Sequence, residues 1–229
     1  ITSTSRFSAV NAFGNAYLTD GPTNWLQLNG TVLTASTAMP RGVTNAFWME
    51  RLVTGGVSGT ASTLYMSAIS DPLDWTDNGI TDADSFSTPV RANDGYNIRL
   101  TKTFKNRLLV MKDYSTDEFT TNDGQIPNRT PVSSIIGTQY PESYQEREND
   151  AIWLAHDGFY KYTGSQLVPI SEVIQSTVDA IQQLQSYNRY YTESTQSQFQ
   201  SGTSTGTSPN VLLNSVVLAT YTVTDSSDS

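Results

Sequence analysis

A chain of 229 residues is long enough to bury a substantial core as one all-β domain or two smaller ones, and without a single cysteine it has no disulfide framework, thiolate zinc site or cysteine nucleophile. Net charge is −9, with no Lys/Arg cluster longer than two residues, which excludes the basic face of a tight DNA or RNA binder. Apolar residues at 37% and charged residues at 15% are both low, while Thr, Ser, Asn, Gly and Tyr are abundant, the composition of turn-rich β structure.

The first unit, residues 1 to 45, holds strands at Ser8-Ala9-Val10, Ala16-Tyr17-Leu18 and Trp25-Leu26-Gln27-Leu28. Thr19-Asp20-Gly21-Pro22 and Asn29-Gly30 are turns, and Asn29-Gly30 ahead of Thr31-Val32-Leu33 reads as a tight hairpin. Met39-Pro40-Arg41-Gly42 breaks the pattern and leads to the next sheet.

A second unit, residues 45 to 84, sets strands Arg51-Leu52-Val53-Thr54 and Thr63-Leu64-Tyr65-Met66-Ser67 around the glycine-rich link Gly55-Gly56-Val57-Ser58-Gly59. That link lacks the Lys and the following helix of a phosphate-binding loop. Pro72 fixes a turn and Trp75 offers an apolar anchor. Asp77, Asp82 and Asp84 lack the ligand spacing and terminal Glu of a calcium loop and read as a solvated acidic stretch.

In the third unit Tyr96, Ile98, Leu100 and Lys102 alternate with polar neighbours, the period of a strand with one face on a core. Its partner is Arg107-Leu108-Leu109-Val110-Met111, entered through the turn-prone pair Lys105-Asn106, and a polar segment from Thr116 completes the sheet. Asn122-Asp123-Gly124 and Pro127-Asn128 mark its exit. In the fourth unit Asp150–Ala155 and Phe159–Tyr162 flank His156-Asp157-Gly158 as a hairpin, followed by the strand Gln166–Ile170.

The period then changes. Ser171 caps a segment in which Val173, Ile174, Val178, Ile181 and Leu184 share one stripe, which predicts a helix near 171–185. Residues 196 to 210 are Ser, Thr, Gln and Gly with little to bury, and strand patterning resumes at Val211-Leu212-Leu213 and Val216-Val217-Leu218. The organisation expected is residues 1–170 as β repeats, 171–195 as helix and connector, and 196–229 as linker and a partial second β module. With Ile1 first and a strand just beginning where the sequence stops, the chain reads as part of a longer polypeptide. No apolar run approaches the roughly 20 residues that span a bilayer, and no signal-peptide core opens the chain.

The same phrase, polar turn then apolar strand then turn, recurs at Phe13–Asp20, Met49–Gly55, Phe104–Asp113 and Asn149–His156, roughly every 36 to 55 residues. That spacing makes blade-like repeats the first expectation, each a small antiparallel sheet.

Chemistry is thinly represented. His156 is the single histidine and stands at a hairpin tip, so a histidine-based triad or imidazole metal cluster would rest on it alone. Ser70-Asp71-Pro72-Leu73-Asp74-Trp75 only loosely matches the Ser-x-Asp-x-Gly-x-x-Trp turn of sialidase-type propellers. Trp25, Tyr140, Tyr144, Tyr187, Tyr190 and Tyr191 are read as exposed aromatics that could stack on sugars, although in β proteins such residues more often close hydrophobic layers. No catalytic, cofactor-binding or metal-binding residue is assigned, and no cofactor is expected.

The succession Arg51-Leu52-Val53, then Leu64-Tyr65-Met66-Ser67-Ala68-Ile69-Ser70-Asp71-Pro72-Leu73-Asp74-Trp75, resembles neck and tail proteins of tailed bacteriophages. It continues through Phe104–Val110, Ile136-Gly137-Thr138, Asn149–Tyr160 and Pro169-Ile170-Ser171, spanning roughly residues 45 to 185, and the order of phrases is more specific than any one of them. The resemblance implies a mainly β, antiparallel β-propeller-like domain in a virion structural protein of the neck, tail tube or nozzle. It implies no enzymatic activity, and partners that are other copies in a ring and neighbouring virion proteins. Two other readings stand beside it: a receptor- or glycan-binding propeller, and a glycoside hydrolase, which would need two carboxylates about 5–10 Å apart in a pocket.

Overall fold

A computed structural model describes residues 7–21, 25–76, 84–121 and 127–171, and the backbone of 212–213 and 216–217. The chain divides into two compact units, Ile1–Glu172 and Val173–Ser229. The first contains four four-stranded antiparallel sheets, each built from consecutive strands paired in chain order. Sheet 1 is β1 (Ser8–Ala12), β2 (Asn15–Thr19), β3 (Trp25–Asn29) and β4 (Val32–Ser36). Sheet 2 is β5 (Thr44–Trp48), β6 (Arg51–Val57), β7 (Thr60–Met66) and β8 (Phe86–Pro89). Sheet 3 is β9 (Ile98–Phe104), β10 (Arg107–Lys112), β11 (Thr116–Thr121) and β12 (Pro127–Ser133). Sheet 4 is β13 (Gln145–Arg147), β14 (Asp150–Leu154), β15 (Phe159–Tyr162) and β16 (Leu167–Pro169). In the second unit β17 (Leu212–Leu213) pairs antiparallel with β18 (Val216–Val217).

Every sheet opens with a two-residue hairpin. Ala12 pairs with Asn15, Trp48 with Arg51, Phe104 with Arg107 and Arg147 with Asp150. In three of these loops both central residues have positive φ: Phe13 and Gly14, Met49 and Glu50, Lys105 and Asn106. That is the type I′ geometry, whose twist matches that of the flanking strands. A two-residue loop leaves no slack in register, so the apolar set of each hairpin is held on its intended face.

The sheets stack in chain order. Ala12, Tyr17 and Trp25 of sheet 1 pack with Leu52 of sheet 2. Trp48, Val53, Leu64 and Met66 of sheet 2 pack with Ile98, Leu108, Val110 and Phe119 of sheet 3. Leu100, Phe104, Leu109 and Met111 of sheet 3 pack with Tyr144, Ala151, Trp153 and Tyr162 of sheet 4. Strand β10 is therefore buried on both faces, Leu108 and Val110 toward sheet 2 and Leu109 and Met111 toward sheet 4. A doubly buried strand reads as an unbroken apolar run because neither set of alternate positions meets water.

One irregularity serves this double burial. Met111 pairs with Leu100 but Lys112 pairs with Ile98, so Arg99 is an extra residue on β9. The bulge turns Ile98 onto the face opposite Leu100, toward sheet 2. Ile98 lies against Gly55, where an added Cβ would sit 2.8 Å from Ile98 Cγ2.

Tryptophans bind one sheet to the next. Trp25 Nε1 donates to Pro40 O (2.6 Å) in the link between sheets 1 and 2. Trp48 Nε1 donates to Asn106 O (2.9 Å) in the β9–β10 turn, and Trp153 Nε1 donates to Gly137 O (3.1 Å) in the link between sheets 3 and 4. Each buries a large ring while leaving its single donor satisfied.

The strands expected from the sequence are present at their positions, with corrections at particular residues, while β5, β8, β12 and β13 were not expected. Tyr96 is exposed and precedes β9, which begins at Ile98. Pro127-Asn128, expected as an exit, begins β12. The second sheet runs past residue 84 to Pro89. The helix expected near 171–185 lies outside the described residues, except that Ser171 is buried and its Oγ accepts from Phe159 N (3.1 Å).

Candidate functional site

Charged side chains buried between the sheets are the first place to seek chemistry. Lys112, on the doubly buried strand, donates through Nζ to Val90 O (2.8 Å), Arg91 O (3.1 Å), Ser62 Oγ (3.2 Å) and Asp94 Oδ1 (2.5 Å). Asp117 of β11 is ion-paired with Arg91 Nε at 2.7 Å and with Arg129 Nε at 3.9 Å. Arg107 Nη1 reaches both oxygens of Glu118 (3.0 and 2.9 Å) and Gly164 O (2.7 Å), and Tyr162 Oη donates to Glu118 Oε2 (2.7 Å). Arg51 donates through Nη1 to Ser67 O (2.6 Å) and Asp84 O (2.7 Å), with its guanidinium over the Phe86 ring.

Each of these groups fastens a strand to a neighbouring strand or loop, through backbone carbonyls as well as side-chain acceptors. Hydrogen bonding to Glu118 raises the Arg107 pKa, whereas burial lowers that of Arg51. Burial, followed by the hydrogen bond to Glu118, pushes the Tyr162 hydroxyl up to about 12. Burial and then Asp157 do the same for Tyr160, also to about 12. Tyrosines held this firmly in the neutral form act as hydrogen-bond donors at neutral pH, not as bases.

The residues weighed from the sequence fall in different places. His156 is exposed, with Nδ1 3.8 Å from Asp157 Oδ1 and its ring edge-on to Tyr114. In Ser70–Trp75, Ser70 Oγ donates to Glu50 Oε2 (2.6 Å) in the β5–β6 turn and the other polar side chains serve the loop itself: Asp71 Oδ1 accepts from Leu73 N, Asp74 Oδ1 accepts from Thr76 N, and Trp75 Nε1 donates to Pro72 O. The Trp75 ring leans on Trp25, 6.2 Å between centroids, so this phrase ties sheet 2 to sheet 1. Asp77 and Asp82 lie outside the described residues, as do Tyr187, Tyr190 and Tyr191.

Among the aromatics weighed for sugar stacking, Trp25 and Tyr144 are corrected from surface to core, since both are buried. Tyr144 donates to Glu146 Oε1 (2.9 Å), and burial raises its pKa. A different aromatic row reaches the surface. Tyr96, Tyr114 and His156 come together from the β8–β9, β10–β11 and β14–β15 loops, with centroids 4.8 and 5.2 Å apart. Sequence reading missed it because its members stand on three separate loops.

An open depression of about 550 Å³ lies beside the β1–β2 turn, lined by Asn11, Phe13, Asn15, Leu28 and Phe47 among others, none of them titratable. Among the described residues no cluster of three or more His, Asp or Glu side chains is arranged to hold a metal ion. No described helix is long and apolar enough to cross a membrane. No protein-family model matches this chain, and no curated protein is similar enough in sequence to be counted a relative.

Proposed function

We propose that this chain is a structural component of a tailed-bacteriophage virion, its four sheets being blades of a propeller-like array that assembles with other copies as a ring in the neck or tail. One observation carries the reading: phrases that resemble neck and tail proteins supply contacts that fasten one sheet to the next. Trp75 in the first phrase leans on Trp25 of sheet 1. In the next, Asn106 O receives Trp48. Ile136-Gly137-Thr138 crosses the β10–β11 turn, where Thr138 N donates to Lys112 O (2.9 Å) and Thr116 Oγ1 donates to Ile136 O (2.8 Å).

The mechanism is passive. A chain with net charge −9 presents a neutral or acidic surface along which DNA slides without being gripped. The partners are copies of the same chain and adjoining virion proteins. The test is native mass spectrometry of the purified chain across a concentration series. A ring at a fixed multiple of 25.1 kDa is the expected result, and a monomer at every concentration would sink the ring model.

A second reading, a receptor- or glycan-binding module, is favoured by the surface row of Tyr96, Tyr114 and His156. A glycan array that retains the wild type and loses Tyr96→Ala would replace the conduit reading with this one.

A further inference from the structure

Among the described residues, two faces of the four-sheet stack are left without a covering sheet, one at each end. On sheet 1, strand register places Ala9, Ala16, Leu18, Leu26, Leu28 and Leu33 on the face opposite Tyr17 and Trp25. Leu33 is 54% exposed. On sheet 4, Ile152, Leu154, Phe159 and Lys161 lie on the face opposite Trp153 and Tyr162, and Val168 pairs with Lys161. Val168 is 38% exposed, and Ile170, whose amide bonds Phe159 O, is 44% exposed.

Sheet 1 also lacks the usual guards against association. The outer-edge strands β8, β12 and β16 each carry proline, at Pro89, at Pro127 and Pro131, and at Pro169. Proline cannot donate to an incoming strand. The corresponding strand of sheet 1, Val32-Leu33-Thr34-Ala35-Ser36, has neither proline nor charge. Across residues 7–40 the sole charged side chain is Asp20, which is buried.

Resting on the ring reading above, we infer that the free face of sheet 1 docks on the free face of sheet 4 of a second copy, head to tail. Three interfaces within the chain are already sheet-on-sheet contacts of this apolar kind, and the docked copy continues the series by one step. The faces differ, so the contact is heterologous, and its repetition gives a ring when the rotation between copies closes and an open filament when it does not. On the sheet 4 face Lys161 is paired with Asp150 at 3.4 Å, and the exposed Arg147, which lies opposite Asp150 on the same face, stands on the edge strand β13, where it can keep its water. Four strands about 4.8 Å apart and five residues long present roughly 300 Å² of flat face. A stable two-body interface covers about 800 Å² per partner, so one contact alone is weak and closure, giving each copy two, holds the assembly.

Because the chain contains no cysteine, single introduced thiols report the contact cleanly. Leu33→Cys and Val168→Cys chains, mixed and mildly oxidised, are expected to form mixed disulfide dimers far in excess of either homodimer. Leu33→Glu is expected to dissociate the assembly with its far-ultraviolet circular dichroism unchanged. Dominant Leu33→Cys homodimers, or an intramolecular bridge in the chain carrying both thiols, would overturn the inference. An assembly that persists by native mass but neither cross-links nor responds to Leu33→Glu would overturn it while sparing the ring. A monomer throughout would remove both.

Discussion

At the scale of single residues, the buried polar groups work as fasteners. Lys112 replaces the water it lost with four acceptors, which is what allows a charged side chain to sit on a strand buried on both faces. Tyr162 and Glu118 make the pH dependence of this fastening measurable. The Tyr162 hydroxyl ionises at about 12 in the folded chain against about 10 in the unfolded one, so the folded state holds the proton more tightly. Its stabilisation is complete below about pH 10 and is lost as the pH rises toward 12, with a magnitude on the order of 2 kcal/mol. Urea unfolding of the wild type is expected to show this alkaline loss. Tyr162→Phe should start from lower stability and lose less across the same window, Tyr160 still contributing. An equal alkaline loss in Tyr162→Phe would mean that Tyr162 does not carry the effect.

At the scale of elements, hairpins were legible in the sequence, and so were the edge strands with apolar residues, β1, β4, β9 and β16, but not the polar or poorly buried ones. Lys105-Asn106 and Met49-Glu50 advertise turns between apolar runs, and β10 is apolar throughout because both of its faces are covered. Strands β8, β12 and β13 were missed because these edge strands are poorly buried and need no apolar alternation; Gln145-Glu146-Arg147 is wholly exposed. Strand β5 was missed for the opposite reason. Its Thr44 and Asn45 are buried by hydrogen bonds to Thr101 and Ser8 on the first strands of neighbouring sheets, partners that lie far off in sequence. The links between sheets are as exacting as the sheets. A Cβ added at Gly137 would sit 2.2 Å from Lys112 O and 2.5 Å from Ser115 N, and backbone cannot rotate aside as a side chain can. Gly137→Ala is expected to cost about 3 kcal/mol, the upper end of overpacking, read as a lower urea midpoint. Gly14→Ala meets nothing within 4 Å and should cost only the strain of its positive φ, about 1–2 kcal/mol. Equal losses in the two variants would show that the crossing at Gly137 is not close-packed.

At the scale of the whole stack, stability should grade from the middle outward. Among the described residues, sheets 2 and 3 are covered on both faces, whereas sheets 1 and 4 are each covered on one. Local opening follows the apolar contact that must be broken, so amide exchange should be slowest in β10 and fastest in β4, where four of five residues are exposed. The lack of charge on sheet 1 was readable in the sequence as the stretch from 7 to 40 with Asp20 as its sole charged side chain at neutral pH, but its meaning required knowing which face the register leaves bare. Exchange measured by mass spectrometry at two concentrations separates fold from assembly. Protection of β10 is set within one copy and should not change on dilution. Protection of β3 and β4 should fall as the solution is diluted below the assembly threshold, because the cover over Leu26, Leu28 and Leu33 is then removed. Slow, concentration-independent exchange in β4 would place its cover within the chain, and fast exchange at every concentration would leave sheet 1 bare.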